Sequence, residues 1–287
     1  MGALSPSAHL RSSYAALPII KESQYIQRHP QPPGATARRL ASVKEEDGQY
    51  GRASPSIFSP ELISFRTSIL EGIFTDLNVG SATPDQPTGW EQGAYQTVSF
   101  FVPDNWKAGR IWARRDCDFS VNPGPNSCLD GGCNGGLECD PHTGTGVPPA
   151  SLAEFTLGTN GANDNYDVSL VDGYNLPIRI SNNKGCHVAD CPVDLGPNCP
   201  APLKGPYDST GFPVGCKSAC EAGLGDPTNN PNCCTGYYNN PNTCTPSGVE
   251  YYSYFKGNCP NAYAYPYDDP TSLFQCNGAD YTITFCP

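Results

Sequence analysis

No run of 18 apolar residues occurs anywhere in the 287-residue chain, so a membrane-crossing helix is not expected. Histidine is scarce, with four residues, and no two cysteines stand in a C-x-x-C spacing. The closely spaced ligand pairs of a structural zinc site are therefore missing, and neither a metal nor a cofactor is expected. The chain has no N-x-[ST] sequon for N-glycosylation. It is also poor in positive charge, with 17 Lys and Arg against 28 Asp and Glu and a net charge of −11. That balance argues against nucleic acid as a partner. It suits neutral polyols such as sugars, whose hydroxyls donate to carboxylates, although solubility alone explains an acidic surface equally well.

What the chain does contain is 30 Gly, 30 Pro and 15 Cys, a composition of turns, short strands and cross-links rather than long helices. All the cysteines lie from Cys117 onward. Charge divides the chain as well: residues 1–56 carry +3 and residues 57–287 carry −14. The first segment has scattered Pro, Ser and Arg and no sustained apolar period, and is expected to be a disordered N-terminal extension. Its apolar run Ala15–Ile20 is short and broken by Pro18, which is no convincing signal peptide. Pro6 spoils a myristoylation pattern at Gly2. The cysteines nevertheless demand an oxidising compartment, so a secreted, extracellular protein is expected. An incomplete or alternatively spliced front end reconciles the two, with unconventional export as the other explanation.

From Ile57 onward, apolar and polar residues alternate in short runs: 63–69, 96–102, 110–115, 166–171, 176–181 and 281–285. Polar turns such as Pro123-Gly124-Pro125-Asn126 separate them, which predicts a mainly β sandwich or barrel. The core is expected over 57–185 and 277–287, with 186–276 a disulfide-rich excursion holding at most short helices. Disulfides are the natural reading of the cysteines, each stabilising by about 2–4 kcal/mol. Cys233 and Cys234 are adjacent, so they are expected to staple different segments. Fifteen is odd, so at least one cysteine lies outside any internal bridge.

Several carboxylates stand in suggestive settings. Glu154 is flanked by Leu152, Ala153 and Phe155, and a carboxyl in apolar surroundings holds its proton more tightly and can act as an acid. Asp167 and Asp172 are five residues apart, and on a straight strand would face opposite ways; Gly173 permits a bend that brings them together. Taken alone, each reads as a turn cap or a surface charge. Tyr174 and the clusters at 251–255 and 263–267 offer flat faces to a sugar ring, although tyrosines at this density more often pack on disulfides. Trp106 and Trp112 are expected in the core and His187 at the surface.

Four segments carry a resemblance. They are Gly109–Cys117 (GRIWARRDC), Ser151–Phe155 (SLAEF), Asp167–Pro177 (DVSLVDGYNLP) and Cys259–Ser272 (CPNAYAYPYDDPTS). In this order, and through every cysteine, residues 74–287 resemble the thaumatin-like family of osmotins and pathogenesis-related group 5 proteins. The phrase IFTDLNVGSATPDQPTGWE resembles fungal members more than plant ones. The resemblance implies a β-sandwich beside a disulfide-rich domain of loops and short helices, with an acidic cleft between them. It also implies the pairs Cys117–Cys128, Cys133–Cys139, Cys186–Cys276, Cys191–Cys259, Cys199–Cys216, Cys220–Cys233 and Cys234–Cys244. The family's first cysteine, in an N-terminal strand, bridges the last; this chain lacks that segment, so Cys286 is expected to remain a thiol. Residues 63–69 are a candidate for the vacated edge, without a cysteine to restore the bridge.

By the same resemblance, Arg110, Glu154, Asp167, Asp172 and one of Asp268 and Asp269, with Asp269 favoured, line the cleft. The activity implied is that of an endo-β-1,3-glucanase on cell-wall glucan, with Glu154 as acid and Asp172 as its catalytic partner. Asp167, Asp269 (or Asp268) and Tyr174 would bind the sugar, and Arg110 would keep the cluster ionised. A non-catalytic glucan-binding or antifungal protein is the alternative. A monomer is expected, with β-1,3-glucan or a related cell-wall polysaccharide as partner and Cys286 open to an intermolecular disulfide.

Overall fold

Alternating burial decides which short runs become strands. In Thr97–Pro103 (β4, with β1 to β3 given below), Phe100 and Val102 are buried while Phe101 is exposed; in Asp164–Ser169 (β7), Asp164, Tyr166 and Val168 point inward and Asn165 and Asp167 outward. This two-residue period is that of a strand with one face in a core. The computed structural model describes residues 37–44, 68–120 and 123–287. The remaining strands are Ala37–Lys44 (β1), Ser68–Thr75 (β2), Gly89–Gly93 (β3), Gly109–Arg114 (β5), Leu152–Thr156 (β6), Ile178–Asn182 (β8), Ala189–Cys191 (β9), Ala262–Tyr263 (β10), Phe274–Cys276 (β11) and Tyr281–Phe285 (β12).

They form two sheets. One has the order β4-β1-β12-β8-β9; the other runs β10-β7-β6-β5-β2-β3, with β11 also on β7. Between them lies the main core: Ile111, Phe155, Tyr166 and Val168 from the second sheet meet Ile178, Ile180, Tyr281, Ile283 and Phe285 from the first. Each is at most 2% exposed, and burial of such a side chain contributes about 1.5–3 kcal/mol. Trp106 is also fully buried there, stacked on Phe155 and donating its indole N–H to Thr75 Oγ1 at 2.7 Å.

The outer face of the second sheet is half covered. Trp112, Phe74 and Leu152 point away from the main core and pack under the loop closed by Cys133–Cys139. Gly72 is needed at this spot, because a Cβ there would stand 2.6 Å from the Trp112 ring. Beyond Trp112 the cover ends, and the same sheet face carries polar and charged residues.

Seven disulfides join Cys117–Cys128, Cys133–Cys139, Cys186–Cys276, Cys191–Cys259, Cys199–Cys216, Cys220–Cys233 and Cys234–Cys244. These are the pairs the resemblance implied, and Cys286 takes part in none of them. Such a set of bridges belongs to an oxidising compartment. Among the described residues no helix is long and apolar enough to cross a membrane.

Three expectations are corrected here. Residues 37–44, inside the segment expected to be disordered, form β1, pairing antiparallel with β4 and parallel with β12. Residues 63–69, the candidate above for the vacated edge, are not found there: 63–67 lie outside the described residues, and Ser68 and Ile69 open β2 in the other sheet. Open ladders on β4 and β12 accept any extended segment that satisfies their N–H and C=O groups, and side-chain alternation does not decide it. Finally, residues 186–276 contain the helices Tyr252–Asn258 (α1) and Asp269–Ser272 (α2), but also return three short strands, β9 to β11, to the two sheets.

Candidate active site

Register brings the charged residues together. In the antiparallel pairs β5–β6 and β6–β7, Arg110 stands opposite Glu154 and Glu154 opposite Asp167. Phe74 of β2 faces Arg110 on the other side. Directly opposed residues have Cβ atoms about 4.5–5.5 Å apart, so three strands suffice to place one guanidinium and two carboxyls in a continuous row. The row forms the floor of a groove of 340 Å³. Phe74 and the exposed Leu273 stand along its length, and Thr145 comes from the segment that follows the covering loop.

Arg110 is the hub of this row. Its Nε is 3.0 Å from Glu154 Oε1 and its Nη1 is 3.8 Å from Asp172 Oδ2, with the three side chains 28–37% exposed. Asp172 reaches the site because β7 ends at Ser169 and the chain turns, with Gly173 at φ +82°. A Cβ on Gly173 would stand 2.7 Å from Pro149, so the bend requires glycine on steric grounds as well. Ser169 hydrogen-bonds Glu154 from the same strand as Asp167.

The electrostatics differ from expectation in one respect. Arg110 was expected to hold the cluster ionised, yet burial outweighs it. Glu154 is raised above the ordinary carboxylate range, chiefly by burial, with Arg110 opposing and the charge of Asp172 adding. Asp172 is raised by burial against the pull of Arg110. Asp167 is raised well above the ordinary range: burial first, then the charges of Glu154 and Asp269, disfavour its ionised form, with Arg110 opposing. Its Oδ1 is buried and has no hydrogen-bond partner among the described residues. Two facing carboxyls in such a site hold one proton between them more firmly than either would alone.

Asp268 and Asp269 have separate fates. Asp268 is buried; it pairs with Lys256 Nζ at 2.9 Å and accepts from the Ala264 N–H at 3.1 Å and the Thr271 hydroxyl at 2.9 Å. Its lone pairs are thus committed to holding α1 against the 262–272 segment, and it is corrected from a sugar ligand to a structural residue. Asp269, the first residue of α2, is exposed, close enough to Asp167 to raise its pKa, and bonded to the Tyr263 hydroxyl. Tyr174 is also corrected. It is 1% exposed with its hydroxyl donating to Asp194 Oδ1 at 3.2 Å, so its ring is core and cannot stack on a sugar.

Sequence reasoning passed over Tyr263 as a partner of Asp269, and passed over Thr156 and Asn165 in the groove. The signal for the latter two was present: each lies two residues from Glu154 or Asp167 on the same strand, and so on the same face. Among the described residues no group of His, Cys, Asp and Glu is arranged to hold a metal ion. A proton-retaining carboxyl pair and a third carboxyl across a guanidinium are the components of acid–base chemistry on a neutral substrate.

A sequence model described as the Thaumatin family matches residues 65–287. Pathogenesis-related thaumatin-like protein 3.5 of Cryptomeria japonica is 48% identical over 195 residues, covering 67% of this chain and 75% of that one. Pathogenesis-related protein 5 of Arabidopsis thaliana is 50% identical over 189 residues, covering 65% and 73%. Among solved structures, a laminaripentaose-producing β-1,3-glucanase in complex with laminaritetraose aligns over 88% of this chain and 99% of its own, with a TM-score of 0.52 at 12% identity. At that identity the likeness is one of fold.

Proposed function

The chain belongs to the thaumatin family, and on that premise we propose that it is a secreted endo-β-1,3-glucanase acting on cell-wall glucan through the Arg110–Glu154–Asp167–Asp172 groove. The observation that carries this reading is the row itself: half-buried carboxyls with raised pKa values, one of them with an oxygen that lacks a hydrogen-bond partner among the described residues, set in an open groove beside an exposed apolar side chain. Glycoside hydrolysis needs one carboxyl that arrives protonated and one that arrives ionised. The Glu154–Asp167 pair supplies the first, with Glu154 delivering the proton to the leaving oxygen. Asp172, whose Oδ2 is 3.8 Å from Arg110 Nη1, takes the second role, with the guanidinium opposing the rise that burial causes. Asp269, exposed beside Asp167, orients sugar hydroxyls. A protein of the same fold being a β-1,3-glucanase that holds laminaritetraose supports the choice of substrate.

Reducing-sugar release from linear β-1,3-glucan tests the assignment. Glu154→Gln is expected to lower kcat by about 10²–10⁴-fold, the usual contribution of a general acid, while leaving oligosaccharide binding in place. Hydrolysis unchanged in both Glu154→Gln and Asp172→Asn would sink the catalytic roles. Binding without any hydrolysis by the intact protein would instead select the non-catalytic, glucan-binding alternative.

A further inference from the structure

The sheet face that carries the acidic row continues into a second row of different chemistry. Two residues along each strand from Arg110, Glu154 and Asp167 lie Ala108, Thr156 and Asn165, all lining the same groove. Thr156 stands opposite Asn165, and Asn165 opposite Gln275 of β11. The row is uncharged from Ala108 to Gln275, and it is built in advance of any ligand. Gln275 Nε2 donates to Asn165 Oδ1 at 2.9 Å, Asn163 Nδ2 donates to Gln275 Oε1 at 3.3 Å, and Thr156 Oγ1 accepts from the Ala108 N–H at 3.2 Å. Asn165 and Thr156 are half-buried and line the groove, and Gln275 is exposed beside Asn165.

Two residues of strand span about 7 Å, so the rows are about one pyranose ring apart. Side-chain amides carry donors and acceptors together, and hydroxyls do too, which matches them to the hydroxyls of a neutral sugar. An anionic ligand fits poorly, because the neighbouring row carries two carboxyls, with Asp172 and Asp269 close to them. Leu273, 37% exposed between the end of the acidic row and Gln275, adds an apolar contact for a ring face.

We infer that Thr156, Asn165 and Gln275 form a second glycosyl subsite, which holds the sugar next to the one engaged by Arg110, Glu154 and Asp167. The subsite rests on the glucan reading above and makes binding depend on oligosaccharide length. Titration calorimetry of the intact protein with glucose and laminaritetraose tests it, with a double variant Asn165→Ala, Gln275→Ala in parallel. The tetraose is expected to bind the parent at least tenfold more tightly than glucose. Each lost amide is expected to weaken tetraose binding by roughly two- to tenfold, with glucose affinity unchanged. A readout that needs no variant is the side-chain ¹⁵N–¹H signals of Asn165 and Gln275, which should shift on adding tetraose. Tetraose affinity unchanged in a double variant that melts like the parent, or amide signals that stay still while tetraose binds, would overturn the subsite alone. Failure of the parent to bind either sugar would overturn the glucan reading and the subsite with it.

Discussion

Asp130 has no exposed surface, and the neighbours that fix it leave one oxygen unsatisfied. Asn175 Nδ2 donates to its Oδ1 at 2.9 Å while also donating to the Ala113 carbonyl at 2.8 Å; Asp130 Oδ2 has no partner among the described residues. Burial pushes the carboxyl from 3.8 up to about 7, against the pull of Asn175 and Arg115. Between about pH 4 and pH 7 the folded chain therefore binds a proton at Asp130 that the unfolded chain has released. Stability contributed by this group is full below pH 4 and is lost as pH rises through about 7. Asp130→Asn cannot ionise, so urea midpoints measured at pH 5 and pH 8 should differ less in the variant than in the parent. An equal fall in both would place the pH dependence elsewhere, for example on Glu154, Asp167 and Asp172, whose raised values act in the same direction.

Strands show which parts of the fold and site the sequence exposes. β7 alternates plainly because one of its faces lies in the core, which turns Asp167 outward, whereas β12 alternates in sequence but buries Thr284 as well. β6 does not stand out: Leu152 is buried beneath the covering loop and Ala153 in the main core, so its burial runs on both faces and blurs the period. Glu154 consequently looked like a carboxyl in an apolar run rather than the centre of a cross-strand row. Tyr174 misled for the opposite reason, since nothing local distinguishes a ring in the core from a ring in a groove. β1 is the least legible element, because its place depends on backbone pairing with both neighbours. Ala41 lies opposite Ser99 on one side and Thr282 on the other. Proline there removes a backbone donor in a central strand, where it is seldom tolerated. Ala41→Pro is expected to destabilise by about 1–3 kcal/mol, the cost of leaving a buried backbone group unsatisfied. A melting temperature equal to that of the parent would show that the ladder between β4 and β12 contributes nothing.

At the scale of the molecule, the two sheets and the 186–276 segment are tied by cross-links of very different reach. Cys186–Cys276 and Cys191–Cys259 span 90 and 68 residues and close the segment that returns β9, β10 and β11 to the sheets. Cys133–Cys139 spans 6 and closes only the loop over Trp112. Asp269, the exposed carboxylate near Asp167, is delivered by that same long segment, so the groove's outer wall depends on the long bridges more than on the short one. Restriction of the unfolded chain predicts a stabilisation of about 4–5 kcal/mol for a 90-residue loop and about 2 kcal/mol for a 6-residue loop. Replacing Cys186 and Cys276 by alanine is therefore expected to cost about 2 kcal/mol more than replacing Cys133 and Cys139, read from urea denaturation of the two double variants. The long-bridge variant should also lose oligosaccharide affinity while still folded, because Asp269 then rests on the Tyr263 hydroxyl, α2 and the Asp268–Lys256 pair without the Cys186–Cys276 tie just beyond it. Equal stabilities and equal affinities for the two variants would mean that packing between the sheets, rather than the length of the cross-linked segment, holds the groove together.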